Sequence, residues 1–475
     1  MKTLMLTVAL ALAVPAFAAD ALAQRSSTTI EPADDLPPPR RTTVTPAEDL
    51  PPPRRTTVPP AADLPPAARS RDAAARAFRP SVEFGADDLL LEGGALPDAV
   101  EADSYSTLRA KAYVKWTPAR NWELRAGARV DGMVQEGGLA DHDEVLADYT
   151  DTYIRYRNGD TRLTLGAQTV VWGRVDEVPL ADRVSRVDLT RFLLDELPDR
   201  RRAQPAVRWE QTWGEFKLDA IALPVFRAAQ LPDPASVWSP VNRTTGEVLG
   251  IDPALTPWVR GARIAEDEHG SGGGGVRLTR SAGAYDWGMT VARTRQSMPY
   301  YRVDLPAATL TAVHPFNTYA GVDFETVTGA FVWRTELGYT EDVPVTLATT
   351  AMDQVAALDW VGAVEFFPGG EDTRVNFQLV AHALRTDRSI LELKEYYGAN
   401  GELETAFAQG RWKAGLRFAA GFNVNDVYLS PKLSFVGWEP HEIYLAAHYF
   451  DGEARTLGGF HEDHSLVTLG LRSRF

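Results

Sequence analysis

From about Phe78 to the terminal Phe475 the chain alternates apolar and polar residues with a period of two, interrupted at short intervals by turn residues. In the clearest stretch, Leu108, Ala110, Ala112, Val114 and Trp116 lie on one face and Arg109, Lys111, Tyr113 and Lys115 on the other. After a turn at Pro118 to Arg120, Trp122, Leu124, Ala126, Ala128 and Val130 alternate with Glu123, Arg125, Arg129 and Asp131. Successive strand side chains leave opposite faces of a sheet, so this pattern predicts a hairpin of two long strands.

Further hairpins are predicted about Asn158-Gly159, Gly214, Thr328-Gly329, Gly369-Gly370 and Glu439-Pro440, tight turns for which glycine, asparagine and proline are suited. Between them lie polar stretches: Gln135 to Asp148, Gly173 to Gln204, Arg227 to Gly273, Arg295 to His314, Glu341 to Ala356, Arg385 to Gly401 and Asp451 to Asp463. Short turns alternating with long loops are the order of an outer-membrane barrel, whose periplasmic turns are short and whose outer loops are long. The expected fold is an all-β transmembrane antiparallel barrel of about 18 strands starting near Ser81, each long enough to cross a bilayer. Sixteen strands is the alternative, because Ser81 to Leu91 and Glu402 to Gln409 alternate least clearly.

The N-terminus adds two segments. Residues 1–23 have a basic start at Lys2, an apolar run from Leu4 to Val14 and small residues at Ala16, Ala18, Ala21 and Ala23, the pattern of a secretory signal peptide. Residues 24–77 carry three proline-rich units that begin at Thr28, Thr42 and Thr56. With few large apolar side chains to bury, these repeats read as a disordered, polyproline-like tether in the periplasm, reaching on the order of 120 Å when extended. Arginine pairs beside the prolines could also grip a periplasmic partner. The barrel then occupies 78–475.

Composition narrows the function classes. A net charge of −15 disfavours nucleic acid as a partner. The absence of cysteine excludes disulfides and a lipoprotein anchor. After the signal region no apolar run is long enough for a membrane helix. Charge on a lipid face is costly, so Arg109, Lys111, Lys115, Arg125, Arg129 and Arg162 are expected to line a wet lumen, with Gln168, Lys217, Asp219, Asn376, Gln378 and His382. Trp116, Trp122, Trp213, Trp412 and Trp438 fall beside short turns, where a girdle at the membrane interface belongs.

The loop from Gly173 to Gln204 is the third outer loop in this count and carries balanced charge. Arg174, Asp176, Glu177, Asp182, Arg183, Arg186, Asp188 and Arg191 are its candidate constriction residues. Opposed charges in a narrow aqueous passage would set up a transverse field that orients polar solutes.

Several segments, among them "LGAQTVVWGRVDEVP", "GVDFETVTGAFVWRTELGY" and "LSPKLSFVGWEPHEIYLAAHYFDG", resemble an uncharacterised family of porin-like outer-membrane proteins of proteobacteria. That resemblance implies passage of hydrophobic or organic compounds alongside inner-membrane efflux systems; the proline repeats depart from it. Many porins fold their third long loop into the barrel, which would make Gly173 to Gln204 a constriction. The alternating last strand ending on Phe475 resembles the signal by which the barrel-assembly machinery recognises its clients, although Ser473 stands where an apolar residue is usual.

Other chemistry is weaker. His461 to His464, and Asp141, Asp143, Glu144 and Asp148, could hold a divalent cation but read better as solvated loops. The glycine run at Gly270 to Gly275 lacks the lysine of a phosphate loop and reads as a hinge for the longest outer loop. His382 has no evident nucleophile, so a barrel-embedded hydrolase is a rival without a visible site. The favoured function is a non-enzymatic, cofactor-free channel for passive passage or export of small solutes. The alternative is a docking barrel whose repeats bind a periplasmic partner.

Overall fold

The computed structural model describes residues 78–475 apart from 140, 268, 269 and 371; the expected signal peptide and proline-rich tether lie outside the described residues. Eighteen antiparallel strands close into one barrel. They are β1 (Ser81–Ala95), β2 (Ala102–Ala119), β3 (Trp122–Gly137), β4 (His142–Tyr149 continued by Thr152–Asn158), β5 (Thr161–Gln168) and β6 (Gln204–Trp213). Next come β7 (Phe216–Leu223), β8 (Gly273–Ala282), β9 (Tyr285–Arg295), β10 (Phe316–Thr328), β11 (Phe331–Thr346) and β12 (Met352–Phe366). The last six are β13 (Thr373–Arg385), β14 (Glu395–Phe407), β15 (Trp412–Gly421), β16 (Asp426–Trp438), β17 (His441–Gly452) and β18 (Leu466–Arg474). Both halves of β4 pair with β3, so they form one crossing strand with a break at 150–151. Both weakly alternating segments are strands, which decides for eighteen over sixteen.

Closure is made by β1 against β18, from Asp88 opposite Arg474 to Ala95 opposite Val467. A closed cylinder leaves no strand edge, the condition under which a sheet can sit in hydrocarbon. The outward face is apolar along the whole circuit: Leu91, Val130, Val291, Val322, Leu337, Leu379, Leu445 and Leu469 are exposed. Beside the inner turns Trp116, Trp122, Trp213, Trp412 and Trp438 are exposed as well, so aromatic rings ring one end of the belt. The molecule is therefore built as an outer-membrane barrel.

All eight inner turns are short, and a glycine with positive φ holds several of the tightest, at Gly159, Gly214, Gly283 and Gly329. The outer connections are not uniformly long. Pairing continues through much of two segments expected to be loops, so the second and sixth outer loops shrink to residues 138–141 and 347–351. The reason is physical: these strands run beyond the apolar belt, where nothing requires a greasy outward residue. A bulge between Thr340 and Val343, with Asp342 at φ 61°, breaks the period further. The long outer loops are the third (169–203), fourth (224–272), fifth (296–315) and ninth (453–465).

The lipid face generates a direct test. Leu469→Arg, near the middle of β18, should destabilise the folded barrel by about 2–4 kcal/mol in urea titrations in bilayers, whereas Leu469→Phe should leave it unchanged.

Candidate functional site: the third loop across the bore

The third loop begins as β5 ends and turns at once into the barrel. Asp182 folds its entry by accepting the backbone N–H groups of Trp172 (2.5 Å) and Gly173 (2.7 Å). Arg186–Val187 then pairs antiparallel with Arg201–Arg202, so the loop doubles back on itself as a hairpin. Its charges pair chiefly with the lumen wall.

On one side the wall is basic and the loop acidic. Arg109 of β2, fully buried, binds Asp131 through Nε at 2.8 Å and Asp195 through Nη2 at 2.6 Å. Lys111 and Arg472 both bind Asp199, at 3.0 and 2.6 Å, and Arg129 binds Asp188 at 2.9 Å. Arg191 of the loop reverses the sense, joining Glu92 of β1 and Asp195. Across the bore the wall is acidic. Arg174 pairs with Asp323 of β10, and Arg183 with Asp359 of β12 at 3.6 Å. The Glu336 carboxylate of β11 accepts the backbone N–H of Val175 and of Ala181, both at 3.1 Å, as well as that of Arg174. A third contact falls on β13 and β15, where Arg374 binds Asp176 at 3.0 Å and Arg417 reaches Glu177 at 3.4 Å.

In a ring of eighteen strands, β1, β2 and β3 stand diametrically opposite β10, β11 and β12. The loop is thus fastened to both ends of a diameter. Burial alone would raise the Asp199 carboxyl, but Lys111 and Arg472 outweigh it and hold it at about 2. Asp195 is likewise held far below the ordinary carboxylate range, because Arg109 and Arg191 outweigh its burial.

Of the eight loop residues singled out by sequence, Arg174, Asp176, Glu177, Arg183, Asp188 and Arg191 reach the wall. Asp182 stays within the loop, bound to Arg201 at 2.6 Å, and Arg186 meets no carboxylate among the described residues. Arg109, Lys111 and Arg129 touch the loop, whereas Lys115, Arg125 and Arg162 pair with wall neighbours Glu83, Asp87 and Glu210. His382 hydrogen-bonds Asp359 at 2.6 Å. Sequence reasoning missed the acidic partners Glu92, Asp323, Glu336 and Asp359. For Asp323 and Glu336 the only signal was parity, on the polar side of an alternating strand; Glu92 lies on weakly alternating β1, and Asp359 shares its inward face with Val361 and Ala363.

Nearer the outer mouth the bore is filled by an apolar cluster. Phe192 of the third loop stacks on Trp238 of the fourth, rings 6.3 Å apart, and His461 of the ninth packs against both. Tyr105, Met133, Tyr428 and Phe450 of the wall complete it. The expectation that His461 and His464 sit in a solvated loop is therefore corrected: both are buried, with Nδ1 atoms 2.9 Å apart, and burial with His464 alongside pushes His461 well below its usual range. The acidic stretch near Asp141 is also no cluster. Glu144 and Asp148 alternate with Asp143 along β4, and Asp148 pairs inward with Arg202 at 2.9 Å. No group of three metal-ligating side chains occurs among the described residues.

Two cavities flank the third loop. One, about 330 Å³, lies against β12 to β16 and mixes Leu180, Val380 and Phe418 with Arg417, Asn400 and Tyr428. The other, about 310 Å³, lies against β1 to β4 and β18 and is lined by charge, including Lys111, Arg129, Asp148, Arg202 and Arg472.

The family model described as a protein of unknown function, DUF1302, matches residues 92–393. The chain belongs to the DUF1302 family. No curated protein matches it. Among solved structures it is similar to the trimeric outer-membrane protein OmpT of Vibrio cholerae, at 12% identity and a TM-score of 0.41, with 84% of this chain and 100% of that one covered. Acinetobacter baumannii OccAB1 gives 9% identity and 0.48 over 83% and 96%. Wzi of Escherichia coli, a carbohydrate-binding β-barrel involved in group 1 capsule assembly, gives 13% and 0.42 over 83% and 85%. At these values nothing about solutes passes from them to this DUF1302 member.

The docked loop of this DUF1302 barrel yields two expectations. Asp195→Asn leaves Arg109 and Arg191 each short of a buried partner, so urea titration should show a loss of about 3–5 kcal/mol. Asp199, depressed to about 2 from an unfolded value near 3.9, contributes stability that is complete above about pH 4 and lost as pH falls toward 2. The temperature of the heat-modifiable gel shift should therefore be flat from pH 7 to about 5 and drop below about 4.

Proposed function

We propose that this protein is a passive outer-membrane channel for small solutes, in which the third loop is the constriction and the two flanking cavities are the routes past it. A barrel of eighteen strands is too wide for its own wall side chains to fill, so what occupies the bore decides what passes. The observation that carries the reading is the loop's attachment to opposite walls by Arg109–Asp195 and Arg174–Asp323, which fixes a hairpin across the middle of the lumen. The charged cavity suits hydrated polar solutes, and the mixed cavity suits organic molecules with one polar end. Such a channel has no energy source of its own, so the direction of passage, inward or outward, follows the gradient. In this reading the proline-rich repeats form a periplasmic tether, and Phe475, exposed at the end of β18, is presented to the assembly machinery.

Planar-bilayer conductance tests the proposal. The folded protein should give small, stable single-channel steps, and replacing Val175 to Asp199 by a short glycine-serine bridge should raise the conductance severalfold and speed sugar entry into proteoliposomes. Equal conductance with and without the loop would refute the constriction, and a wild-type barrel with no steps at all would refute the channel.

A further inference from the structure

One seam of the wall has no backbone ladder. Below the break at 150–151, β4 pairs with β5 from Asn158 opposite Thr161 to Thr152 opposite Ala167. Above it, His142 to Tyr149 pair with β3 alone, because β5 ends at Gln168 and β6 begins opposite it at Gln204. β5 has eight residues, whereas a tilted strand needs about 9–11 to cross hydrocarbon. Beyond β5 the chain leans away from β4, and the Trp172 indole N–H donates to Asp219 of β7 at 2.9 Å. The seam begins inside the apolar belt, since Ala147 stands opposite the exposed Val130. Its outer end is closed by the fourth loop, where Gln135 of β3 donates to the Ala235 carbonyl (3.1 Å) and accepts the Val237 N–H (2.9 Å).

Between these limits, side-chain contacts span the seam. The Thr169 N–H donates to the Asp151 carboxylate at 2.7 Å, Arg202 Nε donates to Asp148 at 2.9 Å, and Arg227 of the fourth loop binds the same carboxylate. Arg227 also covers the Tyr149 ring at 4.0 Å, and the Tyr149 backbone N–H turns to Asp148 at 2.8 Å. Neither arginine has another carboxylate among the described residues, so two guanidiniums share one. From inside, the charged cavity of about 310 Å³ reaches the seam, with Tyr149, Thr150, Thr169, Arg202 and Ala203 lining it from both edges. From outside, Val145, Tyr149 and Val171 are exposed. Tyr149 thus belongs to both surfaces, the cavity on one side and the lipid face on the other.

We propose that this seam is a lateral portal through which a small amphiphilic anion passes between the outer half of the bilayer and the charged cavity, with Asp148, Arg202 and Arg227 as its gate. An anionic head takes the place of Asp148 on the second guanidinium, while the apolar body lies against Val145, Tyr149 and Val171. No strand pairing has to break for the gate to open, so opening exchanges one ion pair for another. The portal rests on the channel reading only for what happens beyond the cavity; entry through the wall is independent of it.

The probes are a long-chain alkyl sulfonate carrying a diazirine beside its head group and the matching trimethylammonium. In vesicles containing the mature protein, photolysis and peptide mass spectrometry should place the sulfonate's label on Thr150, Thr169 and Ala203 in the cavity, and the ammonium's on the outer belt alone. Ala147→Trp with Val171→Trp adds bulk on the lipid side of the seam at two exposed positions that line neither cavity flanking the third loop. That double variant should lose the cavity label and keep the wild-type conductance. Arg227→Gln, which leaves Asp148 paired with Arg202, should lose the label as well. Sulfonate label confined to the belt in the wild type would overturn the portal. Undiminished cavity label in the double variant would mark entry through the lumen and overturn it equally. A labelled cavity in a barrel that gives no channel steps would uphold the portal and refute only the channel.

Discussion

No backbone N–H or C=O can face hydrocarbon without a partner, and every other feature of this barrel follows from that constraint. It forces the last strand back onto the first, so that β18 lies beside β1 and Arg472 meets Asp88 at 2.8 Å across the closing seam. Closure fixes register, and register fixes which side chains face lipid. A slip of one residue would turn Leu469 and Leu471 inward and set Arg472 in the bilayer, which makes the seam self-correcting.

Closure also creates the internal problem. The bore is wide and lined with ionisable groups, and the chain fills it with loops in two different ways. At mid-depth the third loop is held by charge; toward the outer mouth Phe192, Trp238 and His461 hold it by apolar contact. Buried ion pairs add little net stability over well-packed apolar residues, because desolvation offsets most of their attraction. Their contribution here is placement. A loop pinned by Asp195, Asp199 and Arg174 to particular wall positions cannot slide without exposing an unpaired charge, whereas an apolar loop could repack in many ways.

That division explains what the sequence reveals. Alternation along β2 and β3, and the tight turns at Gly159 and Gly214, are local, so the strands and their inward residues are legible one residue at a time. The order of loops singles out residues 169–203 as the third outer loop, because the turns and strands that set the count are themselves local. Partners are another matter. Arg174 and Asp323 are far apart in the chain, and nothing local tells Asp323 from any other polar residue on an inward face. His461 misleads for the same reason: its neighbours in sequence are acidic and polar, but its neighbours in space are Trp238 and Phe450. The extents of β11 and β12 were hidden by a bulge and by polar ends that rise beyond the membrane.

The charge balance of the third loop acquires a direction once its partners are known. Along the diameter from β1–β3 to β10–β12 the groups run wall-positive, loop-negative, loop-positive, wall-negative: Arg109 and Lys111, then Asp195 and Asp199, then Arg174 and Arg183, then Asp323 and Asp359. Apart from Arg191 on Glu92, which opposes the rest at β1, the two ion-pair layers point the same way, so most of their dipoles add instead of cancelling. The contact at β13 and β15 runs oppositely, with Arg374 and Arg417 on the wall, and so turns the field around the mixed cavity. A neutral loop therefore need not make a featureless passage. Fixed pairs aligned across a narrow, partly desolvated gap act on a solute's dipole over distances that water would otherwise screen, and they do so without favouring either sign of ion.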